Sequence, residues 1–193
     1  MITDEPSSKQ LDTLVNYYKA IADSTREMIF IINSNFTVEF VNNHASEKLG
    51  LTREQVTGKQ IKDIFPPEIG EIQTKYLAEV FKKGQYKQEI SDSYLGSKKV
   101  WLDTLFIPLK DMEGNTTQVL GVSRDITDRV EAENALRTSE EKYRTLVEKS
   151  NDGIAIIRNE KITFCNTKLV AILGYKEKEI VGKTFENFIA PKQ

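Results

Sequence analysis

The sequence predicts an α+β fold in which an antiparallel sheet is interrupted, midway along the chain, by a group of helices. Three observations carry that reading. Short apolar runs bracket polar turns at both ends of residues 22–127, a helical stripe lies between them, and the residues from Phe40 onward return 124 positions later as an ungapped second copy.

The elements follow in order. Leu11, Leu14, Val15, Tyr18 and Ile21 fall on one face of an N-terminal amphipathic helix. EMIFIINSNFTVEFVN reads as two short strands about a polar turn. The next helical pattern closes at Gly50 and a further turn at Gly58, positions where glycine enters the left-handed conformation at little cost. Ile72, Tyr76 and Val80, with Leu77 and Phe81 beside them, form an apolar stripe ending at Lys82, Lys83 and Gly84, which are helix-stop signals. YKQEISDSYLG, KKVWLDTLFIPL and TTQVLGVSRDI are then strand candidates, the last two joined by KDMEGN, whose Asp, Gly and Asn favour a tight turn. The order is β-β-α-α-α-β-β-β, with the helices grouped in the middle.

The repeat pairs Phe40–Pro67 with Phe164–Pro191, and seven of the 28 aligned residues are identical. Chance at average composition would give roughly two. Phe40, Asn42, Leu49, Gly50, Gly58, Lys59 and Pro67 return as Phe164, Asn166, Leu173, Gly174, Gly182, Lys183 and Pro191. Upstream, DGIAIIRNEKITFCN repeats the two-strand pattern with one residue fewer, a change a turn absorbs. The copy stops before any counterpart of the last three strands. Phe185, Phe188 and Ile189 are therefore expected to lack their usual partner sheet, leaving this unit poorly ordered or covered by a neighbouring chain or by the linker helix.

Between the copies, VLGVS passes into RDITDRVEAENALRTSEEKYRTLVE with no glycine or proline to break the chain. Asp128 followed by Glu131 fits a capping box that starts a helix. Ala132, Leu136, Ser139, Tyr143 and Leu146 then recur at four- and three-residue spacing, as at the d and a positions of a coiled coil. A second possible box, Thr138 with Glu141, leaves open whether this is one helix or two. The stripe suits either a linker helix lying on its own domain or a parallel dimer seam.

Composition excludes several classes. Charged residues are 29%, apolar residues 39% and the net charge −2, the balance of a soluble globular chain and a weak argument against nucleic acid as a partner. The longest apolar run, MIFII, is far short of the about 20 residues of a membrane-spanning helix, and no signal-peptide core is present. The lone cysteine, Cys165, permits no intramolecular disulfide, so the expected compartment is the cytoplasm. No nucleophile elbow, phosphate-binding glycine loop or acidic metal cluster is seen, and the chain is not expected to be an enzyme. Asp92 and Asp103 read as solvated strand residues, His44 as a surface or helix-cap residue and Cys165 as a small hydrophobe.

Taken in order, FVNNHASEKLGLTREQVTGK, VWLDTLFIPLKDMEGNTTQVLGVSRDIT and its closing Asp125-Ile126-Thr127 resemble the PAS sensor domain with its C-terminal PAC motif. The resemblance covers about 22–127, and from about Val147 to Gln193 it covers the first half of a second such domain. It implies a five-stranded antiparallel sheet with helices on one face lining a cavity, flanked by an N-terminal helix and a long C-terminal linker helix. The domain scheme is then residues 1–21 as N-terminal helix, 22–127 as a complete PAS/PAC domain, 128–148 as helical signalling linker and 149–193 as a truncated second domain.

What the resemblance implies functionally is an input module of a larger signalling protein, a sensor histidine kinase or cyclic-dinucleotide enzyme. Sheet movement would pass through Asp125, Ile126, Thr127, Asp128 and Glu131 to the linker. A helix cap worth about 1 kcal/mol shifts a two-state population about fivefold. A homodimer would form through the N-terminal helix and a seam of Ala132, Leu136, Tyr143 and Leu146, and a downstream effector domain would receive the signal. A small-molecule pocket would be lined by Ile31, Phe40, Ile64, Phe81, Trp101, Leu105 and Val122. The cofactor is open. Haem-binding relatives place a histidine on the helix near 69–83, which here has none, and photoreceptor relatives need a cysteine where this chain reads GKQIKDIFPP. Two other classes stand beside this reading: a redox sensor with non-covalent flavin, on which Trp101 could stack, and a stand-alone interaction module regulating a separate effector.

Overall fold

A computed structural model describes residues 7–188, in two compact units that divide between Val130 and Glu131. Ile189 and Pro191, named above, lie outside the described residues, as do 1–6.

The first unit opens with α1 (Ser8–Ser24), started by a reciprocal Ser7–Gln10 capping box. Its apolar residues Leu11, Leu14, Val15, Tyr18 and Ile21 are all exposed. β1 (Met28–Asn33) and β2 (Val38–Val41) follow, then α2 (Asn43–Leu49), α3 (Arg53–Val56), α4 (Ile61–Ile64) and α5 (Pro67–Lys83), and finally β3 (Lys87–Leu95), β4 (Lys98–Lys110) and β5 (Thr116–Asp125). Four helices, not three, separate the strand groups. The additional one is a single turn, too short to show a period of its own.

All strand pairs are antiparallel, and the sheet order is β2-β1-β5-β4-β3. The β4–β5 turn is held by Asp111, whose carboxylate accepts from the Glu113 and Asn115 amides at 2.9 Å. One face of the sheet carries Met28, Ile32, Val38, Val41, Val100, Leu102, Phe106 and Val119 and packs on Ala45, Val56, Ile61, Leu77 and Val80 of the helices. Gly121 is required there. It sits directly opposite Phe30, and a Cβ built on it would lie 2.0 Å from the Phe30 ring.

α5 departs from the expected stripe. Its buried face runs along Ile69, Gly70, Gln73, Leu77 and Val80, and Ile72 is exposed. The cause is a close crossing: a Cβ on Gly70 would stand 2.8 Å from Lys62 Cα, so α5 turns its glycine side to α4.

The linker is α6 (Thr127–Glu148), a single 22-residue helix. The second unit then has β6 (Ala155–Arg158) paired with β7 (Lys161–Cys165), α7 (Thr167–Leu173), α8 (Glu177–Ile180) and a 3₁₀ turn at Phe185–Phe188. Gly50 and Gly174 occupy the same left-handed cap, at φ 69° and 74°. Ile162, Cys165 and Ile180 form a small core, joined by Leu169, Leu173 and Phe188. Phe188 is not without a partner, since it meets the Tyr175 ring edge-to-face at 5.4 Å. Ile156, Ile157, Ile172 and Phe185 are exposed.

Candidate functional site

Three places bring together polar groups whose arrangement exceeds what packing needs: the exit from β5, the entry to each unit, and a cavity behind the sheet.

At the exit, strand becomes helix inside one residue. The Ile126 N–H donates to the Trp101 carbonyl at 2.9 Å, extending the β4–β5 ladder, while the Ile126 carbonyl accepts from the Val130 amide at 3.0 Å as the first bond of α6. A loop has no place to form. Asp125 Oδ1 accepts from the Thr127 amide at 3.0 Å and the Thr127 hydroxyl at 2.6 Å, and Thr127 Oγ1 accepts from the Trp101 amide at 2.9 Å. Ile126 and Thr127 are buried. Lys48 of α2 reaches Asp125 Oδ2 at 3.6 Å. Burial pushes the Asp125 carboxyl up, but the Thr127 hydrogen bonds and the charges of Lys48 and Lys98 outweigh it and hold the group below its ordinary value.

This corrects the expected cap. The helix begins at Thr127, so Asp128 already lies in its first turn and the Asp128–Glu131 box does not start it. Asp125 does that work from two residues upstream, in the manner of an Asx turn.

At the entries, one buried asparagine serves each unit. Asn42 is 0% exposed. Its Nδ2 donates to the carbonyls of Ala22 and Glu27 at 2.8 and 2.9 Å, and its Oδ1 accepts from the Ile29 and Ala45 amides, both at 3.0 Å. Asn166 repeats this bond for bond: Nδ2 to Val147 and Asp152 carbonyls at 2.8 and 2.9 Å, Oδ1 from Ile154 and Leu169 amides at 2.8 and 2.9 Å. Every hydrogen-bonding position of each amide is used. An acid at the end of each preceding helix caps the next one, Asp23 accepting from the Asn43 amide at 2.8 Å and Glu148 from the Thr167 amide at 2.9 Å. Arg53 pairs with Asp23 and lies over the Phe40 ring at 5.7 Å.

The helix before each unit is thus part of the repeat. Ala22 matches Val147 and Asp23 matches Glu148 at an offset of 125, which becomes 124 after the hairpin that lost one residue. In the same register Leu11, Tyr18 and Ile21 correspond to Leu136, Tyr143 and Leu146. All six are exposed, and so is Ala132. The readable signal was Asn42 with Asn166, conspicuous as an identical polar pair beside apolar strands.

The cavity, about 50 Å³, lies between sheet and helices, lined by Met28, Phe30, Ala45, Leu49, Ile61, Ile64, Phe65, Gln73, Ser93, Leu102, Thr104 and Ser123 among others. Of the seven pocket residues expected, only Ile64 lines it. Ile31, Phe40, Trp101, Leu105 and Val122 sit on the opposite face: Met28 and Phe30 face inward on β1, and strand alternation turns Ile31 outward, in register with Phe40 and Leu120. Leu105 and Val122 are likewise cross-strand partners on that outer face, and Trp101 is 37% exposed opposite Asp92 rather than in the core. Phe81 packs edge-to-face on Phe36 at the border of the core, off the cavity wall.

Among the described residues no group of His, Cys, Asp and Glu could hold a metal ion, and no helix is long and apolar enough to cross a membrane. Asp92 pairs with Lys99, and Asp103 accepts from Gln88. His44 is half-buried in the first turn of α2. Cys165 is buried, which pushes its thiol up and away from reactivity.

Known proteins share this architecture. A family model described as PAS fold matches residues 22–131, and one described as PAS domain matches 141–193. A phytochrome of Picea abies is 26% identical over 184 residues, covering 90% of this chain and 16% of its own length, so the chain spans a small part of that relative. Among solved structures, the PAS domain of Bordetella pertussis BvgS aligns at TM-score 0.54 and 21% identity over 67% of this chain and 98% of that one. A PAS domain from a two-component sensor histidine kinase aligns at TM-score 0.50 and 14% identity over 60% of this chain and 99% of that one. With the five-stranded sheet, the helices on one of its faces and a family match over more than half its length, the chain belongs to the PAS family of signal-sensing domains.

Proposed function

We propose that this chain is the sensing and relay part of a larger signalling protein, in which movement of the first sheet passes through Asp125, Ile126 and Thr127 into α6. One observation carries the reading: Ile126 belongs to the sheet ladder by its N–H and to the helix by its carbonyl, so neither can shift alone. At its other end α6 is tied to the second unit through the Asn166 and Glu148 bonds. A strand that runs into a helix without a break passes displacement to the helix; a flexible loop would dissipate it.

The output domain in this reading is a sensor histidine kinase, as in the protein from which one of the aligned PAS domains comes, or a cyclic-dinucleotide enzyme. This chain supplies no catalysis itself and works in the cytoplasm. The exposed Leu11/Tyr18/Ile21 and Leu136/Tyr143/Leu146 stripes support a homodimer formed along α1 and α6.

The test is Asp125→Ala in the full chain, followed by amide hydrogen exchange. Expected is faster exchange over Thr127–Glu131 with unchanged protection in β1 and β4. Loss of protection throughout the sheet would make Asp125 a support of the fold and end its role as relay.

A further inference from the structure

We propose that the two units hold the helix preceding them with unequal strength: Arg53 locks α1 to the first unit, whereas the second unit, with Glu177 in that place, lets go of the end of α6 first. Resting on the reading of α6 as relay, this places the point of release at Glu148, not at Ile126.

The two clasps share their neutral half. Asn42 and Asn166 make the same four bonds, and Asp23 and Glu148 each accept from the amide that opens the next helix, Asn43 at 2.8 Å and Thr167 at 2.9 Å. They differ in charge. In the first unit Arg53 donates to Asp23 and rests on the Phe40 ring, the two ionic side chains being 27% and 23% exposed. Arg53 is also the first residue of α3, where the unmet N–H groups of a helix start disfavour a cation. Helix chemistry does not account for an arginine there, and the pair with Asp23 does. Position 53 returns as 177 and reads glutamate, which opens α8, the ordinary place for an acid. The Thr167 hydroxyl adds a bond to Glu148 that Asn43 does not make, but it ties nothing of α8 to α6. Among the described residues no ion pair includes Glu148. The charges of Glu177 and Glu148 both add to the effect of burial in pushing the Cys165 thiol up, so the two acids lie about one buried residue. Attraction across the first clasp thus becomes like-charge repulsion across the second.

Amide hydrogen exchange of the full chain, read by NMR, follows both clasps in one sample. The Asn43 and Thr167 amides report the clasps. The Val38 and Ile162 amides, bonded to the Lys59 and Lys183 carbonyls at 2.9 Å, report the unit behind each. Expected is a wider gap in protection between Thr167 and Ile162 than between Asn43 and Val38. Glu177→Arg should slow exchange at Thr167 about fivefold with Ile162 unchanged, the worth of one half-exposed ion pair. Arg53→Glu should quicken Asn43 about tenfold with Val38 unchanged, since it removes a charged hydrogen bond and adds repulsion. If Arg53→Glu opens Val38 as well, Arg53→Gln decides: quickening at Asn43 alone supports the lock, and any other result overturns it. Equal gaps in the parent protein, or a Thr167 amide unmoved by Glu177→Arg, overturn the proposal. Asp125→Ala with no faster exchange over Thr127–Glu131 would remove the relay and leave the unequal clasps standing.

Discussion

Replacing Asn42 by alanine removes four hydrogen bonds at once, from the Ala22 and Glu27 carbonyls and the Ile29 and Ala45 amides. At about 1 kcal/mol net for each, the loss approaches 4 kcal/mol. Loosening of the α1 end lets water reach the Ala22 carbonyl, so about 3 kcal/mol is expected. That is a large share of a typical stability of 5–15 kcal/mol. Urea unfolding followed by circular dichroism reads it directly: with a slope of about 2 kcal/mol per M, the midpoint should fall by roughly 1.5 M. Asn43→Ala, at the exposed neighbour, is the control and should stay within about 0.5 kcal/mol of the parent protein. Asn42→Asp separates the two halves of the amide, since a carboxylate keeps the acceptor role but faces two carbonyls; it should cost at least as much as alanine. An Asn42→Ala effect no larger than the Asn43→Ala effect, or an aspartate as stable as asparagine, would refute the account of the clamp.

Gly121→Ala should cost about 1–3 kcal/mol, because the new methyl drives the Phe30 ring off its place on the cavity wall; a melting temperature equal to the parent's would show that Phe30 moves freely. The Asp125 carboxyl is held below its ordinary value, so its contribution is full above the unfolded pKa and fades as pH falls through the folded one. Asp125→Ala should therefore lose less stability than the parent between about pH 5 and pH 3, and parallel acid-unfolding curves would contradict this. If α1 and α6 form the dimer, Tyr18→Glu with Tyr143→Glu should convert a dimer to a monomer in analytical ultracentrifugation with little change in circular dichroism, since both tyrosines are exposed. A parent protein that is already monomeric, or a dimer untouched by the charges, would remove the seam.

Much of this was legible in the residues because alternation and repetition are physical signals. The paired strands, the left-handed glycines at 50 and 174 and the Asp111 turn each follow from local chemistry that tertiary contacts leave alone. The cavity wall was misread because β1, β4 and β5 carry apolar residues on both faces: Ile29 and Ile31 alternate with Met28 and Phe30, and no polar face marks the outside. The face of α5 was misread because Gly70, which sets its close crossing with α4, has no hydrophobicity to count. The cap was placed at Asp128 because Asp128 and Glu131 have the right spacing. What moved it upstream is the Trp101 backbone, which takes both Ile126 and Thr127 as partners and lies in another strand. The clamp was half visible. The identity of Asn42 and Asn166 could be read, but their bonds reach back to Ala22 and Val147, some twenty residues earlier, and no local pattern records that.

The claim that the first sheet is coupled to the start of α6 rests on Ile126, and native-state hydrogen exchange of single amides addresses it most directly. If the junction is continuous, the Val130 amide, bonded to the Ile126 carbonyl, opens with the same free energy as the Ile126 amide and the neighbouring Leu105 and Val122 amides of the β4–β5 ladder. A Val130 amide that exchanges like a frayed helix end, while the ladder stays closed, would mean that the helix starts independently of the sheet and that no relay passes through Asp125, Ile126 and Thr127.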